Sequence, residues 1–298
     1  MTCQGAAYVD RRDGQLKHDP IYAAAFMDWC YNARAGQTLT RAVLNRWFAS
    51  ALYGWYYKQP WTRSKIAAFA AAMRVDLDEL DRDLTQFRSF NDFICRRIDL
   101  SKRPIDRDPR TFISPVDGRL LAYREVAADR VFQIKSAEFD LRRLLADDDL
   151  ARRYQGGSVV ILRLYLADYH HFHFPDSGIP GEPRTVPGRY FAVSPYSRRW
   201  AVPFYGENQR SITLFSSEGF GRVALIEIGA FTVGSIQQTF VPHTRVSRGD
   251  PKGYFQLGAS VVVAVFQPRA VQLDDDLCRN TEAGLETYVR LGERIGRA

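Results

Sequence analysis

Nowhere does the 298-residue chain carry 18 uninterrupted apolar residues, so a membrane-spanning helix is not expected. Its first residues, Met1 to Asp13, lack the apolar core of a secretory signal. Cysteine is scarce. Cys3, Cys30, Cys95 and Cys278 are scattered without a C-x-x-C pair, which removes zinc-finger and dithiol readings and suggests reduced thiols in a reducing compartment. A Walker-type glycine loop is missing, as is the G-x-S-x-G elbow of conventional serine hydrolases. Acid is in deficit: 34 Asp and Glu face 41 Lys and Arg, a formal charge of +7. That balance suits an anionic partner. Without nucleic-acid motifs, an anionic membrane surface is the better expectation and nucleic acid is not expected.

Hydrophobic residues make up 46% and charged residues 25%, an ordinary globular composition with enough chain for a substantial core. From about Pro20 to Ile98 the pattern predicts helices over Ile21 to Tyr31, Arg41 to Lys58 and Ser64 to Met73, with an acidic helix start at Asp76 to Glu79. Arg41 to Trp61 holds Trp47, Trp55, Tyr56, Tyr57 and Trp61 among basic residues. Either bilayer headgroups or core packing explains such a helix. From Ser114 the pattern turns to short β-rich runs: Ser158 to Leu166, Ser211 to Phe215, Arg222 to Ile228 and Val261 to Phe266. One more helix is expected over Lys135 to Asp148, and Arg103 to Pro109 reads as a connection. Strands after helices, rather than alternating with them, indicate an α+β fold: an N-terminal helical region (1–100), membrane-associating on the first of those two readings, followed by a β-rich domain (101–298) that holds the candidate chemistry.

Three segments carry candidate chemistry. Lys252-Gly253-Tyr254-Phe255-Gln256-Leu257-Gly258-Ala259-Ser260 runs into the apolar strand at Val261. Small residues before a serine leave the backbone carbonyl open to attack, although alone the motif reads as a tight turn. Ile113-Ser114-Pro115-Val116-Asp117-Gly118 ends a turn in an acid, and Asp168-Tyr169-His170-His171-Phe172-His173 clusters three of the five histidines. Asp117, a histidine and Ser260 together supply the acid, base and nucleophile of a triad. A metal site at the histidines is the rival reading, but no second cluster supplies the remaining ligands. Ser216 to Gly221 reads as a hairpin turn.

Over nearly its whole length the chain resembles the phosphatidylserine decarboxylases. The matching motifs are Phe90-Asn91-Asp92-Phe93 with Arg96-Arg97, Arg103-Pro104-Ile105, Ser114 to Gly118, Asp168-Tyr169-His170 with His173, Gly229-Ala230 with Val233 to Ile236, Lys252 to Phe255, and the ending from Gly284 to Gly296. That ending is similar to the branch whose cleavage motif is Gly-Gly-Ser-Thr, where this chain has Gly258-Ala259-Ser260-Val261. The resemblance implies His173 as base on Ser260, Asp117 as orienting acid, self-cleavage between Ala259 and Ser260, and a covalent pyruvoyl group made from Ser260. That group would take the lipid amine as a Schiff base and release CO₂, with His170 protonating the carbanion. The implied setting is a phospholipid substrate at the cytoplasmic side of the cell membrane, held peripherally. The two cleaved chains would stay together, with a homodimer as an open alternative. Three other readings stay open. The Leu-Gly-Ser-Thr register puts Ala259 at the nucleophile position and disables processing. A free amino acid, such as an aromatic one, is a second substrate class. A processing-dead lipid- or metal-binding module is the third.

Overall fold

The apolar run before Phe266 forms an interior strand, Ser260–Phe266, buried at every position. It belongs to a ten-stranded sheet in the order Arg184–Val186, Arg210–Ser217, Gly221–Gly229, Ser260–Phe266, Gly157–Leu164, Gly118–Val126, Glu286–Val289, Ala7–Asp10, Leu16–His18, with Gly178–Pro180 pairing on Arg210–Ser217. Pairing is antiparallel except where Ala7–Asp10 lies parallel to Glu286–Val289. The computed structural model describes residues 5–20, 24–40, 47–126, 132–134, 137–189, 204–229, 236–257 and 260–298.

Both faces of the sheet are covered, which is why its inner strands read as continuous apolar runs rather than alternating ones. Val261, Val263 and Val265 pack on one side against Leu141, Leu144, Leu145 and Tyr154 from the helices Leu141–Leu145 and Asp148–Tyr154. Val262, Ala264 and Phe266 face the other side, in one core with Phe112, Phe172, Phe174 and Phe255. A small sheet of Ile236–Gln238, Pro251–Phe255 and His171–His173 contributes to this second layer. Side chains alternate along a strand, so Ser260 points the same way as Val262, toward the histidine layer. A third cluster belongs to the helical region, where Tyr57, Ile66, Phe69, Phe87, Phe90 and Phe93 pack with Leu257.

The α+β class stands: helices lie mainly between 24 and 94, and sheets dominate afterward. Helices Trp47–Tyr57 and Ile66–Met73 fall within the expected spans and Ala24–Asn32 runs one residue past its own, while residues 41–46 lie outside the described set. Residues 5–19 are not helical. Ala7–Asp10 and Leu16–His18 extend the main sheet, and Asp19 anchors them by binding Arg119 at 2.6 Å and Arg163 at 2.8 Å. Lys135 to Asp148 is not a single helix either. Its described part is a strand, Ala137–Phe139, then a helix capped by Asp140 and stopped at Ala146, whose φ is 48°. Asp147 then caps the next helix. Two aspartate caps and a left-handed residue within eight positions divide what composition suggested was continuous. Asp76 caps only a short 3₁₀ turn, Leu77–Glu79. The expected strands and the hairpin turn at Ser217–Gly221 are present.

Candidate active site

Ser260 opens its strand, paired with Gly229 on one side and Leu164 on the other. It is fully buried, and its Oγ has no hydrogen-bond partner among the described residues. A buried hydroxyl left unsatisfied costs about 1–3 kcal/mol and calls for an explanation. A reacting role is one. Gly258 and Ala259 lie outside the described residues.

The histidines lie on the strand beside the one that leads to Ser260. His171–His173 pairs with Pro251–Phe255, and the Phe255 N–H donates to the His170 carbonyl at 2.9 Å. Gly253 permits this pairing, since a Cβ there would lie 2.1 Å from the Gln237 carbonyl oxygen and 2.6 Å from the Phe172 ring. His173 is buried and its main-chain N–H donates to the Pro115 carbonyl at 2.9 Å, which ties the histidine strand to the turn carrying Asp117. Its Nδ1 bonds the Gly249 carbonyl at 2.8 Å. A carbonyl can only accept, so Nδ1 carries the proton and Nε2 the free pair. The Tyr169 hydroxyl lies 3.3 Å from Nε2 and donates to it.

Asp117 does not make the expected hydrogen bond to His173. Its carboxylate takes a forked contact from Arg103 (Nε at 3.0 and 3.1 Å, Nη2 at 2.7 Å) and the Leu291 N–H at 2.8 Å. Arg103 is held from behind by Glu79 at 2.6 Å. The guanidinium satisfies the buried acid better than an imidazole that already has a carbonyl partner. Asp117 still acts on His173 through its charge. Burial pushes the His173 pKa down, while the Gly249 carbonyl and the Asp117 charge oppose that shift.

His170 is fully buried, with Nδ1 bonded to the Asp168 carbonyl at 2.9 Å. His171 has another task. It stacks on Tyr169 and Tyr254, its Nε2 donates to the Cys95 carbonyl at 3.0 Å, and burial pushes its pKa down to about 4. That keeps it neutral and structural. Lys252, from the motif before the serine, is buried against Glu227 at 2.9 Å and also bonds Thr213 and Gln238. This pair fastens the small sheet to the main one on the face that Ser260 shares. Among the described residues no group of three His, Cys, Asp or Glu side chains is placed to hold a metal ion.

Sequence reasoning missed Tyr169, Arg103 and Gly249 as parts of this arrangement. Tyr169 sits inside the histidine motif, and Arg103 inside a segment that reads as a mere connection. A backbone carbonyl such as that of Gly249 leaves no residue-type signal at all.

An acid, a histidine whose Nε2 carries the lone pair and accepts from Tyr169, and a buried hydroxyl at a strand start therefore share one β-rich scaffold. Comparison with known proteins gives this arrangement a family. The model of the family described as "Phosphatidylserine decarboxylase" matches residues 90–297. The phosphatidylserine decarboxylase proenzyme of Clostridium beijerinckii is 37% identical over 287 residues, covering 96% of this chain and 97% of the relative. Those of Chlamydia felis (39% over 291 residues, 98% and 97%) and Chlamydia pneumoniae (38% over 295 residues, 99% and 98%) are similar. The chain belongs to the phosphatidylserine decarboxylase family, whose members are pyruvoyl-dependent carboxy-lyases.

Proposed function

We propose that this protein is a self-processing proenzyme that decarboxylates phosphatidylserine to phosphatidylethanolamine, with Ser260 as the source of its pyruvoyl group. The observation that carries the reading is the buried Ser260 Oγ at the start of a strand, without a hydrogen-bond partner among the described residues, in a chain that aligns over almost its full length with curated proenzymes. Ser260 fits the group. It faces the histidine layer, and its neighbour across the sheet is Gly229, which has no side chain to crowd it.

In the proposed maturation, His173 Nε2 removes the Ser260 hydroxyl proton. Oγ attacks the Ala259 carbonyl, so the Ala259–Ser260 amide bond breaks, an ester forms and the Ser260 nitrogen becomes a free amine. Loss of the Ser260 α-proton and cleavage of the Cβ–O bond then release the carboxylate of Ala259. Tautomerisation to an imine and hydrolysis by water release ammonia and leave the carbonyl at position 260. Once present, the pyruvoyl group supplies an electron sink for the departing carboxylate. Tyr169 holds the Nε2 side of His173, Gly249 fixes the tautomer, and Asp117 with Arg103 sets the local charge. His170 returns a proton to the carbon that loses CO₂.

Burial lowers the His173 pKa, so the basic, neutral form dominates at and above neutral pH. The rate of self-cleavage should therefore be flat across neutral and mildly alkaline pH. It should fall only below the ordinary histidine value of about 6.5. Gel densitometry of freshly made chain across pH checks this, and a decline already between pH 8 and 7 would exclude His173 as the base.

No helix among the described residues is long and apolar enough to cross a membrane. Peripheral docking is the proposed route to a lipid. On helix Trp47–Tyr57, Tyr53 and Tyr57 turn inward, with Tyr57 packing on Phe90. Leu52, Trp55 and Tyr56, spaced i, i+3 and i+4, form the outward face, and Trp55 is 56% exposed. Trp61 is 58% exposed, and Lys58, Arg63 and Lys65 are exposed around it. The side chain of Trp47 lies outside the described set. Aromatic and basic groups in one exposed band suit anionic headgroups, at roughly 1 kcal/mol per basic residue near the surface. Trp55→Ala with Trp61→Ala should lower co-sedimentation with phosphatidylserine vesicles while circular dichroism stays unchanged. Equal binding by the folded double variant would mean this face does not dock.

A further inference from the structure

The motif Phe90-Asn91-Asp92-Phe93 has no part in the chemistry proposed above, yet its short helix touches both halves of the site. Ser89 caps helix Phe90–Ile94 by accepting the Asp92 N–H at 3.2 Å. Thr62 accepts the Phe90 N–H at 3.0 Å, and Phe90 and Phe93 are buried in the helical core. The helix is thus rigidly seated.

On the nucleophile side, the Asn91 side-chain carbonyl accepts the Leu257 N–H at 3.0 Å. Leu257 is the last described residue before Gly258, and its side chain is buried in the same cluster as Phe90 and Phe93. The Cys95 thiol, whose pKa burial pushes up to about 12, stays protonated and donates to the Phe255 carbonyl at 3.5 Å. On the base side, the Cys95 carbonyl accepts from His171, and Arg96 donates to the carbonyls of Ala167 and Asp168, at 2.5 and 3.2 Å. Those carbonyls immediately precede Tyr169 and His170. One seven-residue segment therefore grips the strand and following residues that lead to the nucleophile, and the segment that carries the histidines.

We infer that Phe90–Arg96 is a clamp that registers the cleavage segment against the histidine base, with Asn91 as its positioning residue on the nucleophile side. This rests on the self-cleavage reading above. Asn91 reaches no reacting atom. It acts by fixing the main chain three residues before Ser260, and misplacement by about 1 Å can cost on the order of 100-fold in rate. The amide of Leu257 is a donor, so the clamp needs only an acceptor at position 91, and aspartate supplies one in nearly the same place.

The test follows self-cleavage of freshly synthesised full-length chain in wild type, Asn91→Ala and Asn91→Asp. The same substitutions in a Ser260→Ala background report melting temperature and hydrogen exchange at the Leu257 amide. Asn91→Ala should slow cleavage about 10- to 100-fold and speed exchange at Leu257. Asn91→Asp should stay within about threefold of wild type on both. If the alanine variant does not fold, Asn91→Gln takes its place with the same expectation, because its carbonyl is displaced by one methylene. Wild-type rates in the folded alanine variant would overturn the clamp, as would equal slowing in the alanine and aspartate variants. Failure of the wild type itself to cleave would instead overturn the self-processing reading.

Discussion

His173→Ala should leave the chain at full length, because it removes the base proposed to take the hydroxyl proton of Ser260. In the proposed role the nitrogen involved is Nε2, since Nδ1 is committed to the Gly249 carbonyl and Nε2 carries the lone pair, which accepts from the Tyr169 hydroxyl. His170→Ala has a different expected result. Its buried ring hydrogen-bonds the Asp168 carbonyl, and the Ser260 Oγ has no hydrogen-bond partner among the described residues. The variant should still cleave yet turn over phosphatidylserine about 10²–10⁴-fold more slowly, the usual contribution of a positioned proton donor. Sodium dodecyl sulfate gels separate the first step from the second, and product analysis on lipid measures the second. Full turnover by the His170 variant would remove that residue from the mechanism. Cleavage by the His173 variant would assign the base elsewhere.

The second large effect concerns register. Ser260→Ala should abolish both cleavage and decarboxylation, because the hydroxyl is at once the nucleophile and the precursor of the carbonyl. In the alternative register the nucleophile position belongs to Ala259, and the natural chain is inert. Ala259→Ser would then restore cleavage that the natural sequence lacks. The structure motivates Ser260 because its side chain shares a sheet face with Val262, the face covered by Phe172 of the histidine strand and Phe255 of the strand before the serine. The substrate class is tested in the same experiments: turnover of a free aromatic amino acid without turnover of phosphatidylserine would contradict the lipid assignment.

Much of the fold was legible because its signals are local. Gly157–Leu164, Gly221–Gly229 and Ser260–Phe266 announce themselves as β-branched apolar runs, since both faces of each are covered. Ala7–Asp10 gives no such signal. Its parallel partner, Glu286–Val289, lies at the far end of the chain, and the buried Asp19–Arg163–Glu286 ion network that anchors it is visible only in three dimensions. The site divides in the same way. Side chains with chemical character, Asp117, His170, His173 and Ser260, could be named from the sequence. Their partners could not. Asp117 reads as an acid for His173 but is claimed by Arg103, from a segment that looks like a connection. The group that orients His173 is a carbonyl, which every residue possesses. Asn91 stood in a recognisable motif, but its purpose depends on the Leu257 amide, reached only when the helical region packs on the β-rich one.

Intact-mass spectrometry of the purified protein tests the central claim most directly. Self-processing at Ser260 predicts two species, residues 1–259 with an ordinary carboxyl end and residues 260–298 with a keto carbonyl in place of the N-terminal amine. A single mass for residues 1–298, persisting after prolonged incubation at neutral pH, would contradict it.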